Sequence, residues 1–275
     1  MRSALLCGRE HARLGAIDLV AEGPAAIAIS LGGAPKVYRH TDPNEDAALF
    51  AVGDGGILAV VADGHSGCEA SETAIRCLLE RFAPEWTGAE PLDPGRWPAR
   101  VLDVLSDLEA AVIARTADTP RRGSRTTLAL AVVRPGQARA FVASIGDSHV
   151  FRVGAAGVDD LVLKGQRCDP RFFLGRECST REELGGAAIA EVADLARVQA
   201  LVLATDGLSE RRVGVEDPEE AVRRAVESAR AGDAELRPVE AARNTAQAAL
   251  DAQRSNRSGD NVAVAVVWTE TEPRA

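Results

Sequence analysis

The stretch AALFAVGDGGILAVVADGHSG, residues 47–67, decides how the fold is read. Two apolar runs of strand length, 47–52 and 57–62, flank Gly53-Asp54-Gly55-Gly56. Asp-Gly and Gly-Gly supply the positive φ angles of a tight turn, so the two runs read as an antiparallel hairpin. The second strand then halts at Asp63-Gly64-His65, which sets a carboxylate and an imidazole at the end of a buried run.

On the N-terminal side, residues 25–30 form another apolar run of strand size. On the C-terminal side, Ala70, Ala74, Ile75, Leu78, Leu79 and Phe82 recur at helical spacing across 69–82. A second helix follows Pro98, with Val101, Leu102, Leu105, Leu108 and Val112 along one face, and the Pro- and Gly-rich residues 84–98 between the helices read as a loop. Short strands come next at 127–133, 138–144, 149–153 and 158–163. Residues 198–204 are so continuously apolar that both faces of that strand should be buried. Two helices, 219–229 and 239–252, precede a last strand at 262–268. Strands that cluster and helices that come in pairs imply α+β layering rather than a βαβ repeat. With no internal repeat, linker or composition shift, residues 1–275 read as a single domain that ends in a polar tail at 270–275.

The 41 acidic residues outnumber the 32 basic ones, for a net charge of −9. That balance disfavours a phosphate-tracking basic face, so neither nucleic acid nor an anionic membrane is an expected partner. The five cysteines are an odd number without a Cys-x-x-Cys pair, which argues against a disulfide framework and a zinc ribbon. No apolar run approaches the ~20 residues of a spanning helix. Arg9, Glu10, His11 and Arg13 interrupt the N-terminus before a signal-peptide core can develop, so a cytoplasmic location is expected. Lys36 and Lys164 are the only lysines, a bias that reads as genome base composition rather than chemistry. The oligomeric state has no signature in the sequence.

The informative residues are acidic and stand where strands end. Asp63 follows 57–62, Asp206 follows 198–204, Asp147 follows 138–144, Asp260 precedes 262–268, and Glu45 and Asp46 precede 47–52. Strand ends line the rim of a sheet, where carboxylates remote in sequence can converge. Converging carboxylates repel one another unless a cation lies among them. Oxygen-only ligands select hard cations such as Mg²⁺ or Mn²⁺. A single Asp-Gly pair most often marks a turn, and Asp54-Gly55 is read as nothing more. Asp63-Gly64 and Asp206-Gly207 differ, because each lies between an apolar strand and a helical or irregular segment. Turn chemistry does not explain why Asp147 and Asp260 repeat the arrangement.

The ordered set Asn44-Glu45-Asp46, Asp63-Gly64-His65-Ser66-Gly67, Ser124-Arg125-Thr126-Thr127, Ile145-Gly146-Asp147-Ser148, Leu203-Ala204-Thr205-Asp206-Gly207-Leu208 and Gly259-Asp260-Asn261 resembles the motif series of PPM-type phosphatases, the protein phosphatase 2C family. The resemblance spans about residues 44–267. It implies a central β-sandwich of two antiparallel sheets flanked by α-helix pairs, in four layers α-β-β-α. The implied activity is metal-dependent hydrolysis of phosphoserine and phosphothreonine in proteins, by attack of a metal-bridging hydroxide on phosphorus. Phosphorylated proteins would be the substrates, with a cognate serine/threonine kinase acting in opposition.

By this resemblance Asp63 bridges two Mg²⁺ or Mn²⁺ ions, with the Gly64 carbonyl as a neighbouring ligand, and Asp206 and Asp260 supply further carboxylates. Glu45 and Asp46 hold the second ion largely through its waters. His65 is similar to the family's general acid, which protonates the serine or threonine oxygen as it leaves. Asp147 and Glu210 resemble a third-metal site, with Glu210 standing where aspartate is usual. Arg39 is the nearest candidate for the phosphate-gripping arginine, although it lies five residues before Asn44 instead of three. Arg125 stands at a usually small position and His149 where arginine is usual after Gly-Asp-Ser. Residues 163–184 lack the Asp-His-Ser pattern that precedes the family's substrate-side flap. These departures leave two other readings open: a pseudophosphatase that binds a partner without turnover, and another carboxylate metalloenzyme such as a nuclease or small-molecule phosphatase. The acidic charge disfavours the nuclease.

Overall fold

The computed structural model describes residues 1–38, 40–117, 123–162, 172–175 and 180–270. Arg39, Cys168, Cys178 and most of the 163–184 segment lie outside the described residues. The strands are β1 (Arg2–Cys7), β2 (Asp18–Glu22), β3 (Ala25–Ser30), β4 (Ala47–Val52), β5 (Ile57–Ala62), β6 (Gly64–His65), β7 (Arg125–Thr126), β8 (Leu128–Arg134), β9 (Arg139–Ile145), β10 (His149–Gly154), β11 (Gly157–Asp160), β12 (Ile189–Asp194), β13 (Val198–Ala204) and β14 (Val262–Trp268). The helices are α1 (Glu69–Cys77), α2 (Ala83–Thr87), α3 (Trp97–Thr116), α4 (Arg181–Ala187), α5 (Pro218–Arg230) and α6 (Arg237–Asn256).

The glycine-rich connector at 53–56 closes the expected hairpin, with Val52 opposite Ile57 and Ala47 opposite Ala62. The larger strands form two six-stranded antiparallel sheets, ordered β1-β4-β5-β8-β9-β12 and β11-β10-β13-β14-β3-β2. Successive strand residues point to opposite faces. Ile27, Phe50, Val61, Val142, Leu203 and Ala265 meet between the sheets. Residues of the other parity face outward: Leu49, Leu58 and Leu130 pack on Ile75, Leu105 and Leu108 of α1 and α3. Val202, Val264 and Val266 pack on Val222, Val226 and Leu250 of α5 and α6. Strands covered on both sides must be apolar at nearly every position, as β13 and β14 are. The result is the four-layer α-β-β-α sandwich implied by the motifs.

The differences from the sequence reading have local causes. The helix from Glu69 relaxes into a π turn at Leu78–Phe82 and continues as α2, which shortens the expected loop at 84–98. Pro84 and Pro98 each stand in the first turn of a helix, where proline is tolerated because its missing N–H has no partner there anyway. β1, β2 and β12 escaped the sequence reading, and all three are sheet edges. Asp18, Glu22, Glu191 and Asp194 break the apolar pattern of β2 and β12, as suits strands with an open side. α4 is hidden by Gly185 and Gly186, and its Thr180–Glu183 capping box starts it. The strand expected at 158–163 ends at Asp160. Among the described residues, no helix is long and apolar enough to cross a membrane.

Candidate metal centre

The strand registers bring the acidic residues together. One residue past the Ala47–Ala62 pair stand Asp46 and Asp63, on neighbouring strands of one sheet. In the other sheet the β10–β13 ladder reaches His149 opposite Ala204, and Asp147 and Asp206 lie two residues farther along each chain. Asp260 enters beside them just before β14. Asp63, Asp147 and Asp206 each offer a carboxylate oxygen within 4.8 Å of the others, and so do Asp206, Glu210 and Asp260. Asp206 belongs to both groups, so five of the carboxylates named from sequence form one continuous acidic centre.

Two glycines permit this convergence. A Cβ on Gly64 would stand 2.2 Å from the Glu45 carbonyl oxygen, and one on Gly207 would stand 1.8 Å from the Asn261 carbonyl oxygen. Any side chain at either position would push the ligand-bearing segments apart. Asn261, buried, then ties the loops: its Oδ1 accepts from the Glu45 N–H at 2.9 Å and from Lys36 Nζ at 2.6 Å. Its Nδ2 donates to the carbonyls of Leu31 and Pro43, both at 3.1 Å. Thr205 Oγ1 donates to Asp46 Oδ2 at 2.8 Å, which links the two sheets beside the centre.

Burial and mutual repulsion dominate the electrostatics. Desolvation, then the charge of Asp260, pushes Asp46 up to about 7. The same two causes push Glu210 up to about 7. Asp63 and Asp206 are held well above the usual carboxylate range, first by desolvation and then by Asp206 and Asp260 respectively. Desolvation also raises Asp147. Oδ1 of Asp147 and Oε2 of Glu210 are buried with no hydrogen-bond donor in reach. Buried acceptors are normally satisfied. A donor set of crowded oxygens, some awaiting a partner, suits a hard divalent cation.

Glu45 stands apart from both groups. Its Oε1 accepts backbone N–H groups from Thr41 at 3.0 Å, Asp42 at 2.9 Å and Gly67 at 2.8 Å, so this oxygen folds the 41–42 loop onto the turn after His65. The His65 Nδ1 lies 3.4 Å from Asp63 Oδ2 without a hydrogen bond. Its ring packs on Phe173 with centroids 4.7 Å apart. Arg125 pairs with His65 across β6 and β7 and holds its guanidinium 4.8 Å from the same Phe173 ring. Burial, then the Arg125 charge, pushes the His65 pKa below its ordinary value.

Lys36 and Tyr38 were missed. Lys36 Nζ lies 3.3 Å from Asp260 Oδ1, and the Tyr38 hydroxyl donates to the same oxygen. A rare lysine shortly before Asn44 was the only signal available for this ammonium. A surface cleft of about 1080 Å³ lies elsewhere, against α5 and the β10–β11 turn. Its Arg223 and Arg230 are already paired with Glu227 and Glu270, and no carboxylate of the centre borders it.

The sequence pattern of the family described as protein phosphatase 2C matches residues 35–252. The fold is similar to that of serine/threonine phosphatase Stp1 from Staphylococcus aureus, with a TM-score of 0.65 and 18% identity over 93% of this chain and 98% of that one. The catalytic domain of serine threonine protein phosphatase PstP, solved with two manganese ions, gives 0.61 and 20% over 92% and 99%. The PPM Ser-Thr phosphatase MsPP from Mycobacterium smegmatis, solved with cacodylate, gives 0.57 and 26% over 90% and 98%. Comparison with curated proteins returned no match.

Proposed function

Because the chain belongs to the protein phosphatase 2C family of metal-dependent protein serine/threonine phosphatases, we propose that its acidic centre hydrolyses phosphoserine and phosphothreonine esters in proteins. The observation that carries this reading is the meeting of Asp63, Asp147, Asp206, Glu210 and Asp260 with buried oxygens that no protein donor reaches. Asp63, Asp206 and Asp260, with the Gly64 carbonyl, would hold two Mg²⁺ or Mn²⁺ ions, and Asp46 and Glu45 would steady the waters of the second. Asp147 and Glu210, with Asp206, would hold a third. When bound, such ions supply a water acidic enough to attack at neutral pH and positive charge for the phosphate oxygens.

The chain's own groups handle orientation and the proton. His65, beside Asp63 and braced on Phe173, would give its proton to the departing serine or threonine oxygen. Arg125, paired with His65 across β6 and β7, and Arg39 would grip the phosphate as forked donors. Asn261 and Thr205 keep the ligand-bearing loops in place, so little reorganisation accompanies the reaction. A pseudophosphatase acting only as a binding module has no use for so many repelling carboxylates, which favours the active reading. The buried Cys7, Cys68 and Cys77 carry no disulfide, in keeping with the cytoplasm, where a serine/threonine kinase would generate the substrates.

The test is hydrolysis of p-nitrophenyl phosphate and of a phosphopeptide panel after EDTA treatment and after re-addition of each cation. EDTA should abolish turnover, and Mn²⁺ or Mg²⁺ should restore it. Ca²⁺ should not, because its longer and looser coordination activates water poorly. Full turnover in excess chelator would remove the metal mechanism, and no turnover with any cation would establish the pseudophosphatase.

A further inference from the structure

Next to the acidic centre, three side chains form a hydrogen-bonded line to which the catalytic reading gives no role. His149, the first residue of β10, sets Nδ1 2.7 Å from Asp160 Oδ2 and Nε2 2.5 Å from Ser209 Oγ. His149 and Asp160 are 2% and 3% exposed. The imidazole lies nearly flat on Phe151, with centroids 5.0 Å apart and planes 14° apart. Asp160 Oδ1 also accepts the Val162 N–H at 3.0 Å, so its carboxylate is fixed from two directions.

The order aspartate, histidine, serine is that of a nucleophile triad. The surroundings argue against that use. A negative oxygen developing beside Ser209 needs free N–H donors, whereas the N–H groups of Ser209 and Glu210 both donate to the Asp206 carbonyl, at 2.7 and 2.6 Å. The line joins two chain segments instead. Asp147 lies two residues before His149, and Glu210 directly follows Ser209. The β10–β13 ladder ends at the His149–Ala204 pair, so the 206–210 turn lies past its last rung. The His149–Ser209 bond carries the connection onward to that turn.

We infer that Asp160, His149 and Ser209 are positioning residues that hold the 206–210 turn, so that Asp206 and Glu210 face Asp147 around one divalent cation. The inference rests on the metal-dependent reading above. Asp147 Oδ1 and Glu210 Oε2 are buried oxygens of the acidic centre that no donor reaches, and they lie on the two segments that the line connects. Glu210 carries one more methylene than aspartate, so its carboxylate has a further torsion through which a loosened turn would let it swing away.

Isothermal titration of the EDTA-stripped, full-length protein with Mn²⁺ tests this. Ser209→Ala deletes the hydroxyl but leaves the buried His149–Asp160 pair intact, and Ser209→Thr keeps a hydroxyl. Outer partners of metal ligands are worth about 10–100-fold in affinity, so Ser209→Ala should weaken the weakest-bound Mn²⁺ by at least ~10-fold and leave tighter ions within about twofold. Ser209→Thr should recover most of the loss, and thermal unfolding in EDTA should remain one cooperative transition for both, with Ser209→Ala lowered by no more than the loss of one hydrogen bond. His149→Asn, whose shorter amide can reach Asp160 but not Ser209, should reproduce the Ser209→Ala loss. Identical isotherms for wild type and Ser209→Ala would overturn the positioning role and leave the metal centre standing. A loss spread evenly over all ions, or one that Ser209→Thr does not recover, would overturn it too. A wild-type protein that binds no Mn²⁺ would overturn the reading of the centre itself, and this inference with it.

Discussion

Replacing Asp46 by asparagine should make the metal-free protein more stable. Asp46 is buried, and its carboxyl is pushed from 3.8 up to about 7 by desolvation and the charge of Asp260. Between those values the folded carboxyl keeps a proton that the unfolded chain has released. Stability therefore falls as pH rises through this window, and the full cost is present above about pH 7. Roughly three pK units at about 1.4 kcal/mol each give about 4 kcal/mol at pH 8, an upper bound because solvent counter-ions entering the centre screen the charges. At pH 5 the same arithmetic leaves under about 2 kcal/mol. Asparagine keeps an oxygen for the Thr205 hydroxyl and turns an amide N–H toward Asp63, so the substitution removes the charge with little loss of bonding. Urea unfolding in EDTA at the two pH values reads the gain directly. Mn²⁺ at a hundredfold over its Kd should add about 2.7 kcal/mol to the wild type, but only about 0.4 kcal/mol to a variant that binds a hundredfold more weakly, which narrows the gap by about 2 kcal/mol. A variant no more stable than wild type at pH 8, or a gain equal at both pH values, would refute the idea that crowded carboxylates limit stability here.

His65→Ala should leave Mn²⁺ affinity nearly intact and slow phosphoserine peptides by about 10²–10⁴-fold, with a much smaller loss on p-nitrophenyl phosphate, whose leaving group departs without a proton. Equal losses in steady-state assays of the two substrates would take the general-acid role from His65. Arg39→Ala should raise KM for phosphopeptide more than it lowers kcat, and Arg39→Lys should recover only part, since an ammonium lacks the two-pronged geometry. Unchanged kinetics for both would leave the phosphate to the metals alone, or to another arginine such as Arg125 or one within 167–181.

The buried half of this molecule was legible and the open half was not. β5, β13 and β14 are covered on both faces, so burial leaves almost no room for polar residues and the strands announce themselves. β2 and β12 have an open edge, and a residue such as Glu191 there carries no strand signal. Asp63, Asp147, Asp206, Asp260, Glu45 and Asp46 could be read because each stands near the end or start of an apolar run, whereas Glu210 was reached only through the family resemblance. Lys36 could not, because its place depends on a bridge to Gly259 and on contacts with Asn261 and Asp260, which only the folded chain brings near. The Asp160–His149–Ser209 line joins residues 11 and 60 positions from His149, and neither spacing has a local periodicity to betray it.

Asp46 and Asp63 extend from strands of one sheet, whereas Asp206 and Asp260 flank strands of the other. A cation held between them, as proposed above, would be a clasp across the open end of the sandwich. Away from that end the two leaves are joined by a core rich in small side chains, among them Ala59, Ala129, Ala131, Ala140 and Ala265, whose bulk fixes how far apart the leaves stand. Ion affinity and core volume would then be geared together. A single added methyl deep between the leaves would then act as a wedge whose opening is felt at the rim, and remote alanines would belong to the gauge of the proposed site along with its aspartates.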